Sequence, residues 1–148
     1  MEREISVSEI TRKFMGGLDC SQVCFSYGSD LMDFDEEEAL RIAAAFGGGL
    51  FKGRTCGCVT GCLMALGLKY GHSELFDEEA KAKMMAVTNE FINWFEEEHG
   101  SSICKDLIGF DFSKGESQAA VESGVMLEKC PLLAKSACDR LAELLEEE

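Results

Sequence analysis

Helical segments with capping residues before them and glycines after them recur along this chain of 148 residues. Asp19 and Asp77 each precede a segment with helical apolar spacing, and Gly100 follows the longest of these segments. The chain has one proline, Pro131, and few alternating runs of β-branched residues, so the sequence favours helices over strands. The pattern predicts an all-α fold, a compact single-domain bundle of about seven or eight helices within residues 1–148.

The expected helices follow from these caps and glycine stops. The third is expected to follow Asp35, to use Phe46 in its apolar face and to end at Gly47. A short helix is expected to carry Cys104 and Leu107 behind a serine cap. The other helices are expected at about 7–15, 20–27, 56–70, 78–99, 117–127 and 131–145, the last of them starting at Pro131.

Charge restricts the classes of partner. The chain has 14 basic and 28 acidic residues, a formal net charge of −14. Such a surface repels phosphate backbones and anionic lipids, so we expect no nucleic-acid partner and no membrane-surface role. The acidic runs 36–38, 96–98 and 146–148 are typical of solvated helix faces, and the alternative is a docking surface for a basic redox partner.

The location of the protein is predicted from two features. The first ten residues, MEREISVSEI, lack a basic region followed by an apolar stretch, so no signal peptide is expected. The richest apolar runs, around 42–51 and 62–68, are shorter than the ~20 residues of a membrane span. We therefore expect a soluble cytoplasmic protein, and the sequence leaves a homo-oligomer open.

Eight cysteines are many for a chain of this length. In a reducing compartment this number indicates metal ligation or thiol chemistry rather than a secreted disulfide scaffold. The alternative, that each is a small buried hydrophobe, fits one or two of them better than all eight. The cysteines are Cys20, Cys24, Cys56, Cys58, Cys62, Cys104, Cys130 and Cys138.

Three cysteines, Cys56, Cys104 and Cys130, fall at predicted helix starts. A helix N-terminus has unpaired N–H groups and a partial positive charge, which stabilise the thiolate that attacks disulfides and binds metals. Two further pairs have i,i+4 spacing, Cys20 with Cys24 and Cys58 with Cys62. Each pair lies on one helix face, where it can ligate a metal centre or simply pack against apolar neighbours.

The segment Cys56-Gly57-Cys58 could close a small strained disulfide of the labile, oxidising kind. The chain has no Cys-x-x-Cys, and without Cys-x-x-Cys-His no covalent haem is expected. His72 and His99 are not expected to be ligands. Ligation by cysteine alone favours an iron–sulfur cluster or a Cys₄ zinc site.

Residues 48–55, GGLFKGRT, approximate a phosphate-binding loop with arginine where lysine belongs. That loop must follow a strand, whereas here a predicted helix precedes it, so we expect no nucleotide. Gly48 and Gly49 are instead expected to end the third helix and to let the backbone approach the group that the cysteines hold.

The ordered motifs resemble the C-GCAxxG-C-C family of redox-active proteins over roughly residues 18–140. The resemblance rests on DCSQ at 19–22, FGGG at 46–49, TCGCVTG at 55–61 followed by LMALGLKYG, CKDLIGFD at 104–111, and Cys130 before Pro131. It implies a small, mostly helical, cysteine-based redox protein. A haem-bearing relative, split-Soret cytochrome c, has a similar domain beside an iron–sulfur cluster, so the resemblance also implies a cluster.

Three hypotheses follow. In the first, an iron–sulfur cluster for electron transfer or redox sensing is held by Cys20, Cys56, Cys104 and Cys130, with Cys58 as a candidate fifth ligand. In the second, a metal-free thiol–disulfide oxidoreductase uses Cys56 as the attacking residue and Cys58 or Cys104 as the resolving one. The third is a Cys₄ zinc-stabilised interaction domain.

The chain departs from the family where Cys58 replaces the usual alanine, and it has Cys24, Cys62 and Cys138 beyond the shared four. We expect Cys24, Cys58 and Cys62 to share the same redox centre or an adjacent second one. Cys56, with Gly57 beside it for close backbone approach, is expected to be the most sensitive position. Cys138 is expected to be a packing residue.

Overall fold

The computed structural model describes residues 3–147, and helices dominate this range. Within it there are eight α-helices and no β-strand, which confirms the all-α prediction. An irregular turn, Gly49–Gly53, with Leu50 and Phe51 at positive φ, and a 3-10 turn, Phe112–Lys114, lie between helices. The α-helices are α1 (Val7–Met15), α2 (Cys20–Asp30), α3 (Glu36–Ile42), α4 (Gly57–Tyr70), α5 (Glu78–His99), α6 (Cys104–Ile108), α7 (Ser117–Ser123) and α8 (Val125–Glu146).

Local capping sets most helix ends, as the sequence predicts. The Asp77 carboxylate accepts the Ala80 N–H at 3.1 Å and starts α5. Gly100 ends the same helix with φ of 90°, in the left-handed region that glycine adopts without strain. At α2, the N–H of Asp19 donates to the Gln22 side chain at 2.9 Å.

One hydrophobic core joins the long helices, and close contacts between α2, α4 and α8 form much of it. A Cβ at Gly28 would lie 2.6 Å from both Ala65 Cβ and Leu141 Cδ2. A Cβ at Gly61 would lie 2.5 Å from the Ser21 carbonyl oxygen. The absence of side chains at these two glycines therefore brings the three helices together. Phe91 and Phe95 of α5 are fully buried in the same core.

The end of α3 differs from the prediction. The helix ends at Ile42, and Phe46 lies beyond it in a series of tight turns. The carbonyl of Ala43, which would continue the helix, accepts the Ser21 hydroxyl at 2.8 Å instead. This contact with α2 has no signal in the local sequence, so the predicted extension to Gly47 is wrong.

The C-terminal helices also differ from the prediction. Gly124, with φ of 78°, ends α7, and α8 begins at the next residue. Pro131 is therefore inside α8 rather than at its start. Cys130 is the sixth residue of that helix, so its predicted position at a helix start is wrong. A glycine with positive φ commonly ends a helix, and here Gly124 rather than Pro131 sets the boundary between α7 and α8.

Surface features agree with the charge analysis in part. The acidic runs 36–38 and 96–98 and residues 146 and 147 are exposed, while Glu148 lies outside the described residues. None of the described helices has the length and apolar character needed to cross a membrane.

Candidate functional site

Three cysteine sulfurs meet where the N-termini of α2 and α4 come together. Cys20 is the first residue of α2, Cys56 is the N-cap of α4, and Cys58 is in the first turn of α4. The Sγ atoms of the three residues all lie within 4.8 Å of one another. We name these three residues the sulfur triad.

Glycine at position 57 permits this meeting. A Cβ at Gly57 would lie 2.4 Å from Cys20 Sγ and 2.8 Å from the Ser21 nitrogen. Any larger residue would therefore separate the two helix starts. Gly47 has a similar role beside Asp19, because its Cβ would lie 2.3 Å from Asp19 Cβ.

Backbone hydrogen bonds bring Cys104 to the same region. Thr55 and Ile103 form an isolated antiparallel bridge. Beside it, the Cys56 N–H donates to the Ser102 carbonyl at 2.8 Å, and the Cys104 N–H donates to the Arg54 carbonyl at 2.6 Å. The starts of α4 and α6, which are 47 residues apart in sequence, are thus held next to each other.

A cavity of about 680 Å³ contains the whole predicted metal set. Its lining includes the sulfur triad, Cys104, and Cys130 from α8. Cys20 and Cys130 are half-buried and the other three are buried. The rest of the wall is mostly apolar, with Phe14, Leu18, Phe51, Leu107, Phe112 and Leu133 among its residues.

The triad concentrates negative charge on Cys20. Hydrogen bonding from the Cys56 and Cys58 thiols lowers the pKa of Cys20 well below its ordinary value, and the N–H groups of Gly48 and Ser21 add to this effect. These donors outweigh burial, which alone would raise the pKa. The pKa of Cys56 is correspondingly raised, chiefly by its hydrogen bonds with Cys20 and Cys58.

The other two cavity cysteines are held as thiols. Burial, followed by the negative charge of Cys20, raises the pKa of Cys104 to about 12. The pKa of Cys130 is raised to about 12 by burial and by the charges of Cys20 and Cys104. Both residues therefore depend on an incoming positive charge to lose their protons.

This distribution differs from the expectation drawn from helix starts. Cys56 does sit at a helix start, yet its pKa is raised, because its thiol donates to Cys20. Cys20 also begins a helix, and its sulfur accepts hydrogen bonds from the other two thiols of the triad. Neighbouring thiols outweigh the helix dipole here.

The glycines predicted to approach the bound group behave in different ways. Gly48 has φ of 59°, lines the cavity and donates its N–H to Cys20. Gly57 contacts the same sulfur, as shown above. Gly49 is buried with φ of 63°, and its Cβ would lie 2.2 Å from the Arg54 nitrogen, so it shapes the turn 49–53 rather than the cavity wall.

Comparison with family models gives one match, to the family described as "Putative redox-active protein (C_GCAxxG_C_C)", over residues 18–144. The chain belongs to this family. Neither the curated proteins nor the solved structures provide a match. The matched range includes the triad, Cys104 and Cys130, so the C-GCAxxG-C-C assignment and the cavity concern the same residues. A cysteine-based redox role follows from the two together.

Three cysteines beyond the family's four lie outside the cavity lining. Cys24, Cys62 and Cys138 are fully buried in the core. Cys138 Sγ lies 4.0 Å from Cys24 Sγ, and the Cys62 thiol donates to the Ala137 carbonyl at 3.7 Å. The contact of Cys138 with Cys24 could not be predicted from the sequence, since a separation of 114 residues gives no local signal.

The histidines lie away from the cavity lining. His72 is exposed. His99 Nε2 is 3.1 Å from Ser136 Oγ, and its ring packs 4.6 Å from that of Phe95. Neither histidine therefore belongs to the candidate donor set, which is dominated by the five cysteine sulfurs and includes the carboxylate of Asp19.

Proposed function

We propose that this member of the C-GCAxxG-C-C family is an electron-transfer or redox-sensing protein with an iron–sulfur cluster in the cavity. Cys20, Cys56, Cys104 and Cys130 would hold the cluster, with Cys58 as a fifth candidate ligand. The observation that carries the proposal is the presence of all five cysteines in the lining of one cavity, with the sulfurs of three of them within 4.8 Å of one another.

The donor set fits such a group. Iron–sulfur clusters are bound by thiolates, and the cavity offers sulfur ligands without histidine. Clusters also need N–H groups near their sulfurs, and Gly48 and Ser21 donate to Cys20. The apolar wall would limit water at the site. When bound, a cluster supplies one-electron transfer.

The residues of the chain would prepare the site for binding. Cys20 already favours the thiolate that metals require. Cys104 and Cys130 keep their protons until a cation arrives, so binding would release protons. Gly48 and Gly57 would fix the position of the Cys20 sulfur through their close backbone approach.

A second candidate function is metal-free thiol–disulfide exchange. The lowered pKa of Cys20 favours it, because the thiolate is the attacking species. Cys56 and Cys58 are both near enough to resolve a mixed disulfide on Cys20. This assignment replaces Cys56 with Cys20 as the attacking residue of the earlier hypothesis.

The partner and the location remain predictions. The exposed acidic runs 36–38 and 96–98 favour a redox partner with a basic surface. A cytoplasmic location would keep the thiols reduced.

Anaerobic purification followed by iron, sulfide and zinc analysis and a visible spectrum tests the proposal. We expect iron and acid-labile sulfide, and a thiolate-to-iron band that dithionite bleaches. Cys104→Ala should lose iron, whereas Cys62→Ala, a buried cysteine outside the cavity lining, should retain it. A colourless protein without iron after reconstitution would favour thiol exchange, and stoichiometric zinc would favour a Cys₄ zinc domain.

A further inference from the structure

A second pair of sulfurs lies in the core behind the cavity. Cys24 of α2 and Cys138 of α8 are both fully buried, and their Sγ atoms are 4.0 Å apart. A disulfide requires these atoms to approach to about 2 Å, which rotation of the two side chains can supply when the helices pack closely. The helices do pack closely here, since a Cβ at Gly28 would lie 2.6 Å from Leu141 Cδ2.

This pair is connected to the cavity by one intermediate sulfur. Cys58 Sγ lies within 4.8 Å of Cys20 Sγ in the triad. Cys24 packs against α4, the helix that carries Cys58, since a Cβ at Gly61 of that helix would lie 3.1 Å from Cys24 Cβ. Hydrogen bonding with Cys20 and with Cys24 raises the pKa of Cys58. Cys24 in turn contacts Cys138. The sulfurs of Cys20, Cys58, Cys24 and Cys138 therefore form a continuous track from the cavity into the core, which we name the sulfur track.

We propose that Cys24 and Cys138 are a buried redox dithiol, oxidised to a disulfide through the sulfur track by a small uncharged organic disulfide that enters the cavity. The relay operates in the reduced chain without a cluster, because Cys20 and Cys58 would otherwise be ligands. The proposal assigns a function to cysteines that are not among the family's four and do not line the cavity.

Access decides the route. Cys24 and Cys138 have no exposed surface, so a disulfide in solution cannot reach them directly. Cys20 is half-buried and lines the cavity, where the wall is mostly apolar and Asp19 provides the only carboxylate among the described residues. An uncharged, partly apolar disulfide is the reagent class that this cavity admits most readily.

Each step is a thiol–disulfide exchange. The Cys20 sulfur attacks the small disulfide RSSR, forms a mixed disulfide with one R–S group and releases the other as RSH. Cys58 then attacks the Cys20 sulfur, and the second RSH leaves. Cys24 attacks Cys58, which restores the free Cys20 thiol. Cys138 attacks Cys24, which restores the free Cys58 thiol.

The sum of these steps is balanced. Two thiols, those of Cys24 and Cys138, and one RSSR become one internal disulfide and two RSH. The buried pair loses two electrons and two protons, and the small disulfide gains them. The cavity cysteines end in the state in which they began, so they remain available for their own chemistry.

The test uses the full chain with all eight cysteines reduced. Iron is measured first and removed with a chelator under reducing conditions. The chain is then treated anaerobically with one equivalent of 4,4′-dithiodipyridine, and released thiopyridone is followed by absorbance. We expect two thiopyridones per chain, followed by a protein with an internal disulfide and a Cys20 that again reacts with iodoacetamide.

Peptide mapping identifies the disulfide. Trypsin places Cys20 and Cys24 on one peptide, residues 14–41, and Cys138 on residues 136–140, so fragmentation must assign the linked cysteine. We expect Cys24 linked to Cys138 as the major species. A final disulfide confined to Cys20, Cys56 and Cys58, or one between Cys24 and Cys62, would overturn the proposal.

Variants test separately whether the oxidant enters at Cys20 and whether the final disulfide joins Cys24 and Cys138. Cys20→Ala should slow the oxidation of the buried pair strongly, because Cys58, the remaining track sulfur in the cavity lining, is buried whereas Cys20 is half-buried. Cys138→Ala should stop the oxidation at a cavity disulfide, whereas the matched control Cys62→Ala should still form the Cys24–Cys138 bond. Oxidation of the pair at an unchanged rate in Cys20→Ala would contradict the route. The iron content measured before the chelator treatment tests the cluster proposal, and the peptide mapping tests the buried disulfide, so either proposal can fail without the other.

Discussion

A Cβ atom at Gly57 would lie 2.4 Å from the sulfur of Cys20. The start of α4 therefore packs directly against the start of α2, since Gly57 is the first residue of α4 and Cys20 is the first residue of α2. The triad is formed at these two helix starts. The same Cβ would lie 2.8 Å from the nitrogen of Ser21, whose N–H donates to the Cys20 sulfur. The glycine is thus a condition for the geometry of the triad.

Replacing Gly57 with alanine should therefore damage the site. The added methyl would displace α2 from α4, and overpacking of this kind typically lowers the free energy of unfolding by about 1–3 kcal/mol. We expect Gly57→Ala to lose iron in the anaerobic preparation and to unfold at lower urea concentration. Iron content and urea denaturation measure the two effects.

Gly67 provides the matched control in the same helix. A Cβ there would have no heavy atom within 4 Å. Gly67→Ala should retain iron and should be neutral or more stable by up to ~1 kcal/mol, because alanine favours a helix interior. Equal effects of the two substitutions would show that the contact of Gly57 with Cys20 is unimportant.

The sequence predicts the ends of a helix correctly where capping residues close to those ends determine them. Asp77 and Gly100 bound α5 as expected, because both act on the backbone within a few residues. The end of α3 could not be predicted, since Ser21 of a distant helix takes the Ala43 carbonyl. The predicted helix 117–127 includes Gly124, and only the positive φ of this glycine in the structure shows that α7 ends there.

The site was predictable as a set of residues and not as an arrangement. Spacing and the family resemblance indicate the five cysteines that the structure brings to the lining of one cavity. The charge distribution depends on which thiol donates to which, and that is a tertiary property. For the same reason the sequence could not place Cys138 beside Cys24.

The pH dependence of alkylation should separate the cavity cysteines. The lowered pKa of Cys20 means that its thiolate persists as pH falls below the ordinary thiol range. For Cys104 and Cys130, with a pKa of about 12, only roughly one molecule in 10⁵ is a thiolate at neutral pH. In the metal-free reduced chain we expect iodoacetamide to label Cys20 first at pH 7, and Cys104 and Cys130 only as pH rises.

Mapping of alkylated peptides over pH 6 to 10 measures this order. In urea, the eight cysteines should react alike, because the unfolded chain removes the hydrogen bonds and the burial. Faster labelling of Cys56 than of Cys20 in the folded chain would instead support the helix-start argument and reverse the assignment of the attacking sulfur.

The cavity should also select disulfides by charge. The chain has a net charge of −14, and its cavity lining includes Asp19 and, among the described residues, no lysine or arginine. Relative to glutathione as a reference thiol, we expect the chain to prefer uncharged 4,4′-dithiodipyridine over dianionic 5,5′-dithiobis(2-nitrobenzoate) by roughly tenfold or more. Stopped-flow rates at low and high salt measure this preference.

High salt should reduce the difference in rate between the two disulfides, because it screens the repulsion between the chain and the anionic reagent. The unfolded chain should show a smaller rate preference for the uncharged disulfide. This comparison distinguishes the effect of the cavity from the effect of the net charge of the polypeptide. A salt-independent preference would indicate that shape rather than charge excludes the anionic disulfide.

Cys56 and Cys138 should differ most clearly in role. Cys56 lies in the triad within 4.8 Å of Cys20 and Cys58, so Cys56→Ala should remove iron or, in a metal-free protein, a resolving thiol. Cys138 lies outside the cavity lining, so Cys138→Ala should keep the iron and the visible spectrum. Its full burial predicts a loss of stability on the order of 1 kcal/mol, from the small void that the missing sulfur leaves. Iron analysis and urea denaturation of the two variants in parallel test this separation, and a loss of iron in Cys138→Ala equal to that in Cys56→Ala would contradict it.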